Sequence, residues 1–269
     1  MANVIGFIGA GRMGEPMVLR LMAAGHRVLL YARRREVAER LAAAGAAVAD
    51  SVADLARRSD IVIGCLFSDA QLLEVAAGAD GVLANAKPGA VFVSHTTGTV
   101  GTLTKLAADF PAGPMLLDAP VSGSPDDIAA GTLTVLLGGP DQAVARVRPV
   151  LAAYASPLIA TGATGTALNL KLINNMLFAA NAQLVGAAVE LGRQLGVRDE
   201  NLFEVLAVAS GGSRAADYMQ RAGGLQSFAK VVAPFLRKDI AACLAAAEDV
   251  GVDLGRLRSV AETGPLGLS

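Results

Sequence analysis

Lys171 stands immediately before an uncharged stretch, residues 172–189, that Glu190 closes. Asn174 and Asn175 follow it at three and four residues, so in a helix all three side chains share one broad face. An amine in partly apolar surroundings loses some preference for its charged form, because desolvation disfavours the ammonium. Such a lysine can polarise a carbonyl and hand its oxygen a proton. The helix alone equally describes a lysine snorkelling to water beside two satisfied amides. A second set is Asp118-Ala119-Pro120-Val121-Ser122-Gly123-Ser124, placed after a strand-like run. A Ser-Gly turn at the carboxyl edge of a sheet offers N–H groups and a hydroxyl to an anion. An ordinary strand-to-loop turn has the same letters, and Asp118 reads as structural.

The third set is Gly9-Ala10-Gly11-Arg12-Met13-Gly14, a G-x-G-x-x-G. Alone the pattern is weak. Here it follows an apolar strand and opens an amphipathic segment, the context of a dinucleotide-binding loop. The first glycine permits a tight turn, the second lets backbone approach a pyrophosphate, and the third lets helix and strand pack closely. The helix N-terminus then presents free N–H groups to the phosphates. The next strand ends in Tyr31-Ala32-Arg33-Arg34-Arg35, without the carboxylate that would hold the ribose hydroxyls of NAD. Guanidinium groups bind phosphate with a bidentate fork, so Arg33 and Arg34 favour NADP over NAD. A solvated basic turn is the plainer alternative.

His95 has no partner at a recognisable spacing and ranks second as an acid or base; His26 lies in a turn before a strand and reads as structural. Cys65 and Cys243 are far apart and imply neither a disulfide framework nor a metal site. No metal is expected. Ser122 lacks the His–Asp arrangement of a hydrolase.

With 53% apolar residues, 269 positions suffice for a sizeable core in one or two domains. A net charge of −1 offers no basic surface for nucleic acid. The N-terminus has no basic n-region, so no signal peptide is expected and a reduced cytoplasm fits. Residues 172–189 approach membrane length, yet Asn174, Asn175, Asn181 and Gln183 argue for a buried helix and against a bilayer span.

These groups need a scaffold. Strand-like runs fall at 4–8, 27–31, 61–65, 91–93, 115–117, 133–137 and 157–160, with helical segments between many of them, such as 12–24 and 36–43. Strand and helix in alternation imply βαβ units and a mainly parallel sheet. After Gly162 only helices are expected: one from about 166 to 195, then 200–209, 233–250 and 254–262, punctuated by Gly211-Gly212 and Gly223-Gly224. The predicted fold is α/β: a Rossmann-type parallel-sheet domain over 1–163, joined by a long helix to an all-helical domain over 164–269. A crevice between two such domains is the default place for a ligand.

Four blocks together resemble the β-hydroxyacid dehydrogenase family, which includes 3-hydroxyisobutyrate dehydrogenase, tartronate semialdehyde reductase and the glyoxylate/succinic semialdehyde reductases. They are Gly6 through Gly14; Asp118 through Gly123 with Gly131-Thr132-Leu133-Thr134; Gly165 through Lys171 to Asn174-Asn175; and Lys238-Asp239. The resemblance covers most of residues 4–250. It implies Lys171 as the catalytic lysine, Ser122 and Gly123 on a substrate carboxylate, and Asn175 orienting the substrate. It further implies Thr96 near the nicotinamide ribose, Lys238 near the cofactor, and a homodimer or homotetramer. Ser124 stands where the family usually has glycine and belongs to the pocket that selects the substrate. Ser94-His95-Thr96-Thr97 replaces the family's Asp-x-Ser-Thr, and after Val252 the family generally continues through further helices.

The expected activity is hydride transfer between NADP(H) and a small carboxylate-bearing 3-hydroxyacid, semialdehyde or 2-oxoacid, with Lys171 as general acid/base. Imine reductases share the scaffold but generally replace the lysine. A cofactor-binding protein without turnover is the reading of another class.

Overall fold

The computed structural model describes residues 3–268. Its first part runs β1 (Val4–Ile8), α1 (Gly14–Ala23), β2 (Arg27–Tyr31), α2 (Arg35–Ala43), β3 (Ala47–Val48), α3 (Val52–Arg58), β4 (Ile61–Gly64), α4 (Asp69–Ala76), α5 (Val82–Asn85), β5 (Val91–Ser94) and α6 (Val100–Asp109). It continues through β6 (Met115–Asp118), β7 (Val121–Ser122), α7 (Pro125–Ala130), β8 (Leu133–Gly138), α8 (Asp141–Leu151) and β9 (Ala155–Gly162). The strands form one sheet in the order β3-β2-β1-β4-β5-β6-β8-β7, with β9 paired to β8. The six strands from β3 to β6 are parallel. β8 reverses direction against β6, and β9 runs parallel to β8.

The inner strand runs are almost wholly apolar, with polar residues mainly at their ends, because both faces are covered. Ile61, Ile63, Val91, Val93 and Leu117 point into one core with Met17, Val18 and Leu21 of α1. Their neighbours Val62, Phe92 and Leu116 point into the other, with Leu55, Leu72, Leu103 and Leu106. This is the two-residue alternation of a pleated strand.

The remainder is helical: α9 (Thr166–Gln194), α10 (Asp199–Leu206), α11 (Arg214–Arg221), α12 (Leu225–Asp249) and α13 (Gly255–Glu262). Backbone contacts divide the chain into two compact units between Lys171 and Leu172. The core of the second unit gathers Leu172, Met176, Phe203, Met219, Phe228, Leu236 and Ile240. α9 is long and apolar enough to cross a membrane by length and composition, and 56% of its apolar window is buried inside the protein.

Two differences from the sequence reading have local causes. α11, unforeseen, fills the interval between the two glycine pairs; Ser213 caps it by accepting from Ala216 N–H, and Ala215, Ala216 and Met219 bury its inner face. α12 begins at Leu225 and continues through Pro234 instead of starting near 233. Pro234 lies on the exposed side, while Phe228, Leu236 and Ile240 keep one buried stripe running past it. Packing along that stripe outweighs the hydrogen bond that proline removes.

A single buried carboxylate fastens the start of α9. Asp118, at the tip of β6, is fully buried. Its Oδ1 accepts from Gly165 N–H at 2.7 Å and its Oδ2 from Leu168 N–H at 2.8 Å. It thereby satisfies N–H groups that the first turn of a helix leaves open, at the end where a negative charge is favoured. Gly138 makes room: a Cβ there would lie 2.4 Å from Asp118 Oδ1. Asp118→Ala strands both donors in the interior and is expected to destabilise the fold by about 3 kcal/mol, with Asp118→Asn intermediate. Urea denaturation checks this; an alanine variant as stable as the wild type refutes the anchoring role.

Candidate active site

The glycine-rich loop separates into three roles. Gly9 has φ +94°, and a Cβ there would lie 2.2 Å from Cys65 O. Gly14 would place its Cβ 2.2 Å from Gly9 O and 3.0 Å from a Phe7 ring carbon. The turn is closed by Gly11 N–H donating to Gly9 O at 2.8 Å. At Gly11 itself a Cβ would meet nothing within 4 Å. The outer two glycines are thus required by the protein's own packing, and the middle one faces open space, which is where a pyrophosphate approaches the backbone. α1 has no side-chain N-cap; in its first turn Glu15 N–H donates to Gly11 O at 2.9 Å and Pro16 has no N–H, so the donors left to face a phosphate are those of the loop ahead of it. Ala10 is buried, Met13 packs partly against the core, and Arg12 is exposed.

Beyond β2, Arg33 and Arg34 are exposed, in long ion pairs of 3.6 Å with Glu74 and 3.7 Å with Glu36. Water-exposed pairs of this length contribute little, so both guanidiniums can turn to a phosphate. Beyond β5, Thr96 is only 2% exposed. Its Oγ1 and that of Ser94 are buried without a hydrogen-bond partner, a condition that usually signals a group missing from the site. The residues present therefore fit a dinucleotide along the carboxyl edge of the parallel strands.

At the next strand, Ser122 pairs with Thr134 across β7 and β8, and Ser122 and Gly123 are exposed. Gly123 has φ +142°. Ser124 is occupied otherwise: its Oγ donates to Asp127 Oδ2 at 2.7 Å and accepts from Asp127 N–H at 3.3 Å, a capping box that starts α7. Its hydroxyl shapes the turn and leaves Ser122 and Gly123 as the turn's outward groups.

Lys171 is half-buried on α9, one helical turn before Asn175. Asn175 is 6% exposed; its Nδ2 donates to Asp239 Oδ2 at 2.9 Å, and its Oδ1 accepts from Asn174 Nδ2 at 3.3 Å. The amide is therefore held in one orientation. Sequence reasoning named Asp239 only within the Lys238-Asp239 block and gave it no role of its own. Its neighbour Lys238, half-buried on α12, drew attention instead. The only available signal was that the two are adjacent in one motif.

His95 is not placed as an acid or base. Burial pushes its pKa down to about 4 and both ring nitrogens are engaged inside the first unit. Burial also pushes the Cys65 thiol up to about 12, which removes it as a nucleophile. Among the described residues no three His, Cys, Asp or Glu side chains converge as a metal site.

Comparison with known proteins shows the family to which this fold belongs. Residues 4–165 match the family model for the NAD-binding domain of 6-phosphogluconate dehydrogenase. Residues 165–264 match the NAD-binding domain of NADP-dependent 3-hydroxyisobutyrate dehydrogenase. The mitochondrial 3-hydroxyisobutyrate dehydrogenase of Mus musculus is 33% identical over 214 residues, 79% of this chain but only 64% of the mouse protein's length. The NAD-dependent L-serine dehydrogenase of Pseudomonas aeruginosa is 33% identical over 79% of this chain and 72% of its own length. Among solved structures, Mycobacterium tuberculosis 3-hydroxyisobutyrate dehydrogenase with L-serine superposes with a TM-score of 0.86 at 30% identity, covering 97% of this chain and 92% of that one. An imine reductase from Myxococcus stipitatus, at 18% identity and a TM-score of 0.64 over 97% of this chain and 92% of its own, shares the fold alone. With both domain models matched in order around the glycine loop and the Lys171 helix, the chain belongs to the β-hydroxyacid dehydrogenase family.

Proposed function

We propose that this protein is an NADP-preferring dehydrogenase or reductase that interconverts a small 3-hydroxyacid with its semialdehyde or a related 2-oxoacid, and that Lys171 moves the proton. The observation that carries the reading is Lys171 one turn from an Asn175 amide that Asp239 holds in a single orientation. The nicotinamide would supply or take the hydride. The Lys171 ammonium donates to the substrate oxygen in reduction, and the amine accepts that proton in oxidation. Asn175 orients the oxygen, while Ser122 and Gly123 bind the carboxylate. The relatives' names support the substrate class, since 3-hydroxyisobutyrate and L-serine both carry a primary 3-hydroxyl and a carboxylate. Lys171 and the fixed amide disfavour an imine reductase, and the open face at Gly11 supports a bound dinucleotide. A panel of 3-hydroxyacids and semialdehydes, assayed with both nicotinamide cofactors, tests the activity. No turnover of any member sinks it.

Lys171→Ala is expected to retain the fold and bind NADP(H) within about twofold, while kcat falls about 10²–10⁴-fold, the usual worth of a positioned acid or base. Lys171→Arg restores little, because a guanidinium stays charged, and Asn175→Ala does less harm. Steady-state rates and cofactor titration decide; near-wild-type kcat in Lys171→Ala makes the lysine structural.

For the cofactor, Arg33→Ala is expected to weaken NADPH binding by about 1.5–3 kcal/mol, the range for a hydrogen bond to a charged group, and to leave NADH binding unchanged. Equal wild-type affinities for the two cofactors contradict the preference.

A second copy of the chain is the proposed cover for α9. Leu170, Leu177, Leu184 and Leu191 recur every seven residues and are each 45–57% exposed. An apolar stripe of that period is a helix-pairing seam. Light scattering at micromolar protein should give at least twice the 27.2 kDa chain mass; a monomer alone refutes the assembly.

A further inference from the structure

The parallel ladder runs past the strand tips by single rungs: His95 N–H donates to Gly64 O at 2.8 Å and Ala119 N–H to Ser94 O at 2.7 Å. The His95 imidazole supplies the next link. Its Nδ1 lies 2.5 Å from Ala119 O. A carbonyl only accepts, so Nδ1 carries the hydrogen and Nε2 is left as an acceptor. Tyr154, fully buried in the connection between α8 and β9, donates its hydroxyl to Nε2 at 2.8 Å, with the two rings edge-on. One ring thus joins three segments. Burial keeps it neutral and raises the Tyr154 phenol's pKa, so the direction of both hydrogen bonds is fixed.

Two of those segments carry proposed binding groups. His95 immediately precedes Thr96, whose buried hydroxyl lacks a partner. Ala119 precedes the turn at Ser122-Gly123 by only three residues, one of them the stiff Pro120. We propose that His95, with Tyr154 behind it, is a positioning residue that locks the loop after β5 to the loop after β6, and so holds the carboxylate-binding turn in register with Thr96. The meaning of the register for substrate rests on the function proposed above, whereas the coupling itself does not.

The experiment compares wild type, His95→Leu, His95→Asn and Tyr154→Phe. Hydrogen exchange by mass spectrometry reads residues 94–99 and 119–124 separately. His95→Leu should speed exchange in both segments about fivefold to tenfold, the worth of one hydrogen bond, and leave β1 and α1 unchanged. His95→Asn retains a donor for Ala119 O and should restore protection at 119–124. Tyr154→Phe should loosen both segments by less. With 3-hydroxyisobutyrate and L-serine as probes, KM should rise about tenfold in His95→Leu, while the Kd for NADP+ moves less than about threefold. Faster exchange in one segment only, a uniform rise across the whole unit, or asparagine behaving as leucine overturns the proposal. If His95→Leu does not fold, Tyr154→Phe and His95→Asn carry the same comparison. If the wild type turns over neither probe, the functional reading fails and the exchange result still decides the coupling.

Discussion

The start of the Lys171 helix and the tip of β6 depend on one buried carboxylate. The Asp118 carboxylate is out of water, and two backbone N–H groups at the start of α9 compensate it. Burying a carboxylate is expensive unless such donors are in place. The strand tip and the helix start are therefore obliged to keep one mutual geometry. Lys171 follows Leu168 by three residues on that helix, and Ser122 follows Asp118 by four along the β6 loop. Both the proposed proton-transfer group and the proposed carboxylate-binding turn take their position from the same anchor. Gly138 belongs to the same constraint, because any side chain there would occupy the space of the carboxylate.

The cofactor edge shows the opposite economy. Nothing charged and buried organises it. Its shape comes from glycines that let β1, β4 and α1 approach one another, and its charge from exposed arginines in weak ion pairs. Rigid backbone fixes where a pyrophosphate can lie. The guanidiniums proposed to select the cofactor are solvated, so they add little to folding and retain their reach for a ligand. Changing cofactor preference is consequently open to surface substitution. Moving the pyrophosphate would require repacking the junction of Gly9, Gly14 and Cys65.

Local physics made much of this legible from sequence. Each apolar run of the parallel sheet is buried on both faces, so its composition alone marked it. The long helix was visible because its uncharged stretch runs far beyond strand length without a proline or a glycine pair. The glycine loop was legible because spacing and context together demand it. What escaped was short or nonlocal. β3 and β7 are two residues each, too brief for any periodicity. α11 is mostly polar on its outer face and lies between glycine pairs that resemble a loop. Asp239 is 64 residues from Asn175, and Tyr154 is 59 from His95; no spacing rule connects either pair. His95 in particular looked like a free titratable group because its partners are a backbone carbonyl and a distant phenol.

The same two turns of α9 are held by carboxylates from different elements. Asp118 of β6 takes the N–H of Leu168, and Asp239 of α12 takes the amide of Asn175. These points are seven residues apart, about 10 Å along the axis, and Lys171 lies between them. A lysine has four rotatable side-chain bonds and is a poorly placed proton donor unless its backbone is fixed. Each contact holds its own stretch of the helix backbone on one side of the lysine. The changeover in packing reinforces this, since Leu168 belongs to the core of the first unit and Leu172 to the core of the second. The helix cannot turn about its axis without withdrawing one of those leucines from an apolar core, at about 1.5–3 kcal/mol for a full side chain. The backbone that carries Lys171 is thus held on each side by an acidic anchor and a buried leucine, and neither anchor is local in sequence.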